Sequence, residues 1–210
     1  MNGSATVYVV DDDQGLRDSL HWLLEAAGLA VRTFSKAQAL LDELDATFEL
    51  PLGCALIDLR LPGMSGLDLL EHMRSQAIDL PVIMITGHGD VRAAVRAMKA
   101  GAMEFIEKPF DEQYLLRRVN EAVRIHNDHR LASARHAELH KLYSLLSPRE
   151  RQVMTLAADG WLNKQIAAEL SLSHKTVEVH RANVMSKMRA GSFAELVRMA
   201  VLLEQASFTE

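Results

Sequence analysis

The stretch Val7-Tyr8-Val9-Val10-Asp11-Asp12-Asp13 joins a short apolar run directly to three carboxylates. Two similar runs follow: Cys54-Ala55-Leu56-Ile57 ends on Asp58, and Val82-Ile83-Met84-Ile85 ends on Thr86. A fourth run, Phe105-Ile106, leads to Lys108-Pro109. In an open parallel sheet, ligands bind at the edge where the carboxyl ends of the strands meet. We therefore expect these acids, the hydroxyl and the ammonium to form one site.

The predicted site has a recognisable chemistry. Clustered carboxylates repel one another unless a cation lies among them, and hard oxygen ligands together with water favour Mg²⁺. A metal-bound carboxylate beside a lysine is suited to accepting a phosphoryl group and stabilising its charge. The sequence therefore predicts a magnesium-dependent site for phosphoryl transfer.

The first 125 residues alternate short apolar runs with helical patterns, which is typical of βα repeats. The predicted strands are 6–11, 31–35, 54–58, 81–86 and 103–107. The predicted helices are 15–27, 36–45, 66–76, 90–100 and 112–125. This pattern predicts a doubly wound α/β domain around a five-stranded parallel sheet.

The rest of the chain is predicted to be helical. Residues 126–143 contain neither Gly nor Pro and predict a helical linker. Ser147-Pro148-Arg149-Glu150 is a strong helix start, with a capping serine, a proline at the first helical position and a capping-box glutamate. A short Ser171-Leu172 joint between two further helices indicates a helix-turn-helix. We predict domains at 1–125 and 144–210, joined by this linker.

Composition and charge narrow the class of protein. The chain has 210 residues, which suits one to two domains. It shows no signal-peptide pattern, no apolar stretch of the ~18 residues that suggest a membrane span, and only one cysteine, Cys54. The net charge is −7 over residues 1–125 and +3 over residues 147–190, which permits nucleic-acid binding near the C-terminus. We expect a cytoplasmic protein with no membrane partner.

Sequence motifs occur in a fixed order along nearly the whole chain. The first part carries Val9-Val10-Asp11-Asp12-Asp13, Asp58-Leu59-Arg60-Leu61-Pro62-Gly63-Met64-Ser65-Gly66, Thr86-Gly87-His88-Gly89-Asp90, Lys99-Ala100-Gly101-Ala102 and Lys108-Pro109-Phe110. The second part carries Leu146-Ser147-Pro148-Arg149-Glu150-Arg151-Gln152-Val153, Asn163-Lys164-Gln165-Ile166-Ala167 and Lys175-Thr176-Val177-Glu178-Val179-His180-Arg181-Ala182-Asn183-Val184-Met185. The chain thus resembles two-component response regulators of the NarL/FixJ family, and most closely the FixJ-like subgroup.

The resemblance implies a fold and a function. The expected fold is a flavodoxin-like receiver domain, a helical linker and a LuxR-type helix-turn-helix DNA-binding domain. The expected function is transcriptional regulation rather than enzymatic catalysis, with a sensor histidine kinase transferring phosphate to Asp58. The resemblance also implies a homodimer on phosphorylation, through the face formed by residues 90–100, 103–107 and 112–125. RNA polymerase is a further expected partner.

Roles for individual residues of the first domain follow from the same resemblance. Asp11, Asp12, Asp58 and the backbone carbonyl of Arg60 are expected to bind Mg²⁺. Thr86 is suited to donating a hydrogen bond to the phosphoryl group, and Lys108 to forming an ion pair with it. Thr86 and Phe105 are the expected switch residues, and the Lys108-Pro109 peptide bond is expected to be cis. Asp13 is different: from its position before the first helix, and not from the resemblance, we expect it to cap that helix and not to bind metal.

The DNA reader is predicted on the helix that starts at Ser173. At 100° per residue, one stripe of this helix faces outward and another is buried. The outward stripe is Lys175, Glu178, Val179 and Ala182, and the buried stripe is Val177, Val184 and Met188. Glu178 is suited to accepting from a cytosine amino group, and Val179 and Ala182 to packing on thymine methyls. The predicted phosphate contacts are Lys164, Lys175, Thr176 and Arg181.

Two alternatives remain open at this level. A haloacid-dehalogenase-like phosphatase would use Asp11 as nucleophile and Asp13 as acid/base, although Gly15 departs from its pattern and no room remains for a cap domain. Phosphate trapped on Asp58 would support the regulator, and phosphate on Asp11 the phosphatase.

Separately, one helical stripe carries His126, His129, His136 and His140. This stripe could bind a transition metal or respond to pH. It could also be a solvated flank of the helix, which is the outcome that we expect.

Overall fold

The structure, a computed structural model, describes residues 5–47, 50–87 and 91–206, with side chains described as far as residue 203. The predicted motif residues His88, Gly89 and Asp90 lie outside the described residues. The chain divides into two compact units, Met1–His129 and Arg130–Glu210. Each unit has its own hydrophobic core.

Strands and helices alternate in the first unit. The strands are β1 (Thr6–Val10), β2 (Ala30–Phe34), β3 (Gly53–Asp58), β4 (Val82–Thr86) and β5 (Glu104–Glu107). The helices are α1 (Gln14–Ala26), α2 (Ala37–Asp45), α3 (Gly66–Ser75), α4 (Val91–Lys99) and α5 (Glu112–Ser144), the last of which continues beyond this unit. The predicted strand bounds agree with the structure to within one residue. The central strands β1, β3 and β4 are compact apolar runs, and turn residues separate the strands from the helices.

The five strands form one parallel sheet in the order β2-β1-β3-β4-β5. The strand β3 is therefore central, and its last residue, Asp58, pairs with Ile85 of β4. Because all strands run in the same direction, β1, β3, β4 and β5 end at the same edge of the sheet. The predicted five-stranded α/β fold is confirmed.

Both faces of the sheet are covered by helices, as continuous apolar strands require. Side chains of β1 alternate between the two faces. Tyr8 and Val10 pack in the cluster that includes α2 and α3, whereas Val7 and Val9 pack in the cluster that includes α1 and α5. Cys54 of β3 lies fully buried in the second cluster, and burial raises the pKa of its thiol to about 12.

Helix α5 runs without a break through the predicted linker, from Glu112 to Ser144. Neither α5 nor any other described helix is both long and apolar enough to cross a membrane. The expected solvated histidine flank is wrong at its first member, because His126 is buried. Its Nδ1 lies 3.1 Å from the backbone nitrogen and 2.9 Å from the carbonyl oxygen of Gly53. The spacing of Leu115, Val119 and Ala122 continues to His126, which places it on the buried face of the helix.

The second unit contains the end of α5 and further helices. These are α6 (Pro148–Ala158), α7 (Asn163–Glu169), α8 (His174–Lys187) and α9 (Phe193–Ala206). Val177 and Val184 of α8 and Met188 at its C-cap are buried, as predicted for the inner stripe. The predicted capping box at the start of α6 is also present, with Ser147 Oγ accepting from Glu150 N–H and Glu150 Oε2 accepting from Ser147 N–H.

Candidate functional site

Acidic side chains from two strand ends converge at the carboxyl edge of the sheet. Asp11 and Asp12 follow β1, and Asp58 ends the central strand β3. Carboxylate oxygens of these three residues lie within 4.8 Å of one another. They line a cavity of about 370 Å³ whose wall consists of Asp11, Asp12, Asp13, Asp58, Arg60, Thr86, Gly87 and Lys108. The structure therefore brings together the predicted acids, hydroxyl and ammonium.

Hydrogen bonds hold the two buried acids in place. Lys108 Nζ lies 2.6 Å from Asp11 Oδ2 and 3.3 Å from Asp58 Oδ1, so one ammonium bridges two carboxylates. The backbone N–H of Asp13 donates to Asp11 Oδ1, and that of Arg60 donates to Asp58 Oδ2 at 3.2 Å. Asp12 is exposed, which leaves its carboxylate open to an ion at the mouth of the cavity.

The charges at this site are incompletely balanced. Burial raises the pKa of Asp58 and the charge of Asp11 adds to this effect, while Lys108 opposes it. Burial alone would lower the pKa of Lys108, but its hydrogen bond to Asp11 and the charges of Asp11 and Asp58 raise it. Three clustered carboxylates with hard oxygen donors, sharing one bridging lysine, fit a divalent cation such as Mg²⁺.

Gly66 allows the first turn of helix α3 to approach the backbone of Asp58 closely. The sequence alone did not indicate this role. A Cβ at this position would lie 2.0 Å from the carbonyl oxygen of Asp58, a distance that no side chain tolerates. The capping box of Ser65 and Asp68 starts α3 here, and Gly66 N–H donates to Leu59 O. The glycine directly after a capping serine was the sequence signal for this close approach.

Asp13 behaves as expected for a helix cap, because its Oδ1 accepts from the backbone N–H of Leu16 at 3.1 Å. This contact engages the residue that the phosphatase hypothesis needs as acid/base. Nothing in the described geometry favours that hypothesis over phosphate on Asp58.

The proposed switch residues lie on neighbouring strands. Thr86 is buried at the end of β4, and its carbonyl accepts from Lys108 N–H. Phe105 of β5 pairs with Met84 of β4 and is partly buried against the core cluster that contains Tyr8 and Val10. The Lys108-Pro109 peptide bond is cis, as expected.

Helix α8 presents its predicted outward stripe to solvent. Lys175, Glu178, Val179 and Ala182 are exposed, with 53% of the Val179 surface accessible. Thr176 is half-buried, and its Oγ1 lies 2.7 Å from Ser173 Oγ at the helix cap. The stripe thus presents one acidic and one basic side chain with two small apolar side chains, and these groups are of the kinds that can contact base edges.

Of the predicted phosphate contacts, Lys164 and Lys175 are exposed, whereas Arg181 has partners within its own unit. Arg181 Nη1 donates to Asn163 Oδ1 at 2.8 Å, and its Cζ lies 4.6 Å from the ring centre of Phe193. Its guanidinium is therefore less available to DNA than the two lysines.

Comparison with known proteins agrees with both units. Residues 7–120 match the family described as response regulator receiver domain, and residues 144–200 match bacterial regulatory proteins of the luxR family. The chain therefore belongs to the response regulators that combine a receiver domain with a LuxR-type DNA-binding domain. Its receiver implies a histidine kinase partner, and its second domain implies DNA binding.

Relatives place it among FixJ-like regulators. It is 45% identical to the transcriptional regulatory protein FixJ of Bradyrhizobium diazoefficiens over 96% of this chain and 97% of FixJ. It is 39% identical to the response regulator protein TodT of Pseudomonas putida F1 over 97% of this chain and 88% of TodT.

Solved structures agree with this placement. The response regulator StyR matches with a TM-score of 0.83 and 42% identity, over 94% of this chain and 98% of StyR. Full-length FixJ from B. japonicum matches with a TM-score of 0.59 and 44% identity, over 96% of this chain and 98% of that one. The protein is thus a phosphorylation-controlled transcription regulator.

Proposed function

We propose that Asp58 is the residue that accepts phosphate from the histidine kinase. The observation that carries this proposal is its position at the end of the central strand, inside the acidic cavity and 3.3 Å from Lys108 Nζ. An attacking carboxylate must be held beside a group that neutralises the incoming phosphoryl charge, and Lys108 is such a group. Thr86 lines the same cavity and supplies a hydroxyl donor.

Asp11, Asp12, Asp58 and the backbone carbonyl of Arg60 would hold Mg²⁺ in this cavity. The ion, when bound, supplies positive charge that offsets the repulsion between the carboxylates and the phosphoryl oxygens. Lys108 keeps Asp58 oriented through its bridge to Asp11, and becomes an ion-pair partner of the phosphoryl group. Thr86 then changes its hydrogen bonding, and Phe105 on the adjacent strand follows by changing its rotamer.

Incubation of the full chain with acetyl phosphate and Mg²⁺, followed by reductive trapping and peptide mass spectrometry, tests this proposal. We expect one modified residue, Asp58, and no incorporation in Asp58→Asn. Modification of Asp11 instead would support the phosphatase hypothesis and overturn the assignment. The exposed Asp68→Asn variant is a matched control that should be labelled like the wild type.

We further propose that residues 144–210 bind promoter DNA through α8, with residues 1–125 as the receiver and 126–143 as the linker. Glu178, Val179 and Ala182 would read bases, while Lys164, Lys175 and Thr176 would lie near phosphates. Lys164→Ala and Lys175→Ala should each weaken binding to all sequences alike. Each should also reduce the slope of log affinity against log salt concentration by about 0.9. Val179→Ala should instead relax preference at one base position and leave the salt dependence unchanged.

A homodimer formed on phosphorylation is also proposed, through α4, β5 and the start of α5. Exposed apolar side chains on α4 support it: 80% of Val91 and 47% each of Val95 and Met98 are accessible. Residue 90, at the edge of the predicted face, lies outside the described residues. Sedimentation that is equal for the unmodified and phosphorylated protein at micromolar concentrations would contradict this proposal. We also propose that the protein acts in the cytoplasm, because it would meet both DNA and the phosphohistidine of the kinase there. RNA polymerase is proposed as a further partner.

A further inference from the structure

Arg181 of α8 contacts both helices that neighbour α8 in the chain. Its Nη1 donates a hydrogen bond of 2.8 Å to Asn163 Oδ1, and Asn163 is the first residue of α7. Its Cζ lies 4.6 Å from the ring centre of Phe193, which is the first residue of α9. A cation at this distance from an aromatic face is attracted by the ring. The guanidinium of Arg181 therefore connects the middle of α8 to the first residues of α7 and α9.

The start of α7 needs such support, because no side chain caps it in the usual way. Its N-cap residue is Leu162, which has no oxygen to accept from the first-turn N–H groups. Gln165 Oε1 reaches back to the Leu162 N–H at 2.8 Å, and the bond from Arg181 to Asn163 supplies a second restraint. Lys164, the next residue, is an exposed cation in the same turn.

Arg181 also lies beside the base-reading residues of its own helix. It follows Glu178 by three positions, one turn along α8, and directly precedes Ala182. Arg181 is half-buried, whereas Glu178 and Ala182 are exposed. The contacts of Arg181 with Asn163 and Phe193 therefore restrain the rotation of α8 about its own axis. This rotation determines the direction in which the outward stripe faces.

We propose that Arg181 is a positioning residue for DNA recognition: its guanidinium fixes the base-reading stripe of α8 relative to the first turn of α7 and does not neutralise a DNA phosphate. This inference rests on the DNA-binding function proposed above and replaces the phosphate role predicted for Arg181. A residue that contacts phosphate adds affinity for every sequence and steepens the salt dependence. A positioning residue adds selectivity and leaves the salt dependence unchanged.

The two roles separate in a salt titration of DNA binding. Full-length protein treated with acetyl phosphate would bind a duplex selected by the wild type from a random library, and a scrambled duplex of equal composition. We expect Arg181→Gln to weaken the selected duplex by about tenfold, the size expected from losing a charge-assisted hydrogen bond. The scrambled duplex should be much less affected. The slope of log affinity against log salt should stay at the wild-type value, whereas loss of a phosphate contact would reduce it by about 0.9.

Matched variants sharpen the test. Arg181→Lys keeps the charge but lacks the planar fork, so a positioning role predicts no rescue and a phosphate contact predicts rescue. Asn163→Ala and Phe193→Leu change no charge, and each should reproduce part of the lost selectivity at an unchanged slope. Lys164→Ala provides the positive control for a reduced slope. In the Asn163→Ala background, Lys164→Ala should lower the slope by the same amount as it does alone, because the proposed phosphate contact of Lys164 does not depend on the bond between Arg181 and Asn163.

All binding is measured at a temperature where thermal unfolding shows each variant to be folded. If Arg181→Gln does not fold, the milder Asn163→Ala and Phe193→Leu variants decide the question. The proposal is overturned if Arg181→Gln lowers the slope by about 0.9 with rescue by lysine. It is also overturned if both neutral variants keep full selectivity. A wild-type protein that does not distinguish the two duplexes would instead refute the proposed DNA-binding function.

Discussion

Each unit of this protein buries a carboxylate beside a lysine, yet the two carboxylates differ in their acidity. In the receiver, Lys108 Nζ lies 3.3 Å from Asp58, and burial raises the pKa of Asp58. In the second unit, Lys187 Nζ lies 2.7 Å from Glu150, and that hydrogen bond, with those from Ser147, lowers the pKa of Glu150 to about 2.

The difference arises from the neighbours of each pair. Lys108 is shared with a second carboxylate, and its shorter contact is the one to Asp11, at 2.6 Å. The Glu150 carboxylate has Lys187 and also accepts a hydrogen bond from the backbone N–H of Ser147 in the capping box. A buried acid whose charge is fully compensated stabilises the fold. An acid whose charge is only partly compensated is left dependent on a further cation, which suits a site that must bind Mg²⁺ and accept a phosphoryl group.

The largest effect is expected from Asp58→Asn. Phosphorylation by acetyl phosphate should be abolished, while the receiver should keep its stability or gain about 1 kcal/mol, because a partly compensated buried charge is removed. Pulsed hydrogen exchange in urea reports the unfolding of each unit separately and provides the measurement. A loss of more than about 2 kcal/mol in the receiver would mean that Asp58 stabilises the fold as Glu150 does.

Glu150→Gln should lower the free energy of unfolding of the second unit by about 2–3 kcal/mol, since it removes the charge that pairs with Lys187, while the glutamine oxygen can still accept from Ser147 N–H. The matched control is Asp68→Asn, which alters the equivalent capping box of α3 at an exposed position. We expect the control to lower receiver stability by less than about 1 kcal/mol. Equal losses would show that the cap, and not the contact with Lys187, accounts for the role of Glu150.

Acid should affect the two units in opposite directions through these two groups. The pKa of Glu150 in the fold, about 2, is below its ordinary value of 4.5, so its contribution is present above 4.5 and lost as the pH falls towards 2. The pKa of Asp58 lies above its ordinary value of 3.8, so its charging lowers receiver stability as the pH rises through that range. The difference between wild type and each neutral variant, Glu150→Gln or Asp58→Asn, isolates the two contributions during acid titration. A difference that does not vary with pH would contradict the prediction.

The smallest expected effect is the response to Mg²⁺. At ten times its dissociation constant, the ion should stabilise the receiver by about 1.4 kcal/mol at neutral pH and leave the second unit unchanged. Asp12→Ala should lose this response because a metal ligand is removed. Asp13→Asn should keep it because asparagine caps a helix as well as aspartate does. Equal stabilisation in Asp12→Ala and wild type would remove Asp12 from the metal site.

Features defined by local pattern were predicted well from the sequence. The strands and the acids that follow them could be predicted because strand length, apolar runs and sheet topology determine where a strand end lies. The buried stripe of α8 could be predicted from helical periodicity alone. The capping box at Ser147 was predicted for the same reason, since its partners are three residues apart.

Contacts between residues distant in sequence were not predicted. The partner of Glu150 is 37 positions away, and the contacts of Arg181 depend on how three helices pack. The close approach at Gly66 depends on the position of the Asp58 carbonyl, which no periodicity encodes. The burial of His126 follows from the apolar residues Leu115, Val119 and Ala122 that precede it on the same face of α5, a relation that the spacing of the histidines does not contain.

The burial of Cys54 has a practical consequence for testing these proposals. Thiol-directed dyes and spin labels react with the thiolate, and this thiol is inaccessible and has a pKa of about 12. A cysteine introduced at an exposed position, such as that of Asn127 on α5, would therefore be the site that takes up the label in the folded protein. Distance measurements between labelled copies could then follow dimer formation on phosphorylation without first removing the native cysteine.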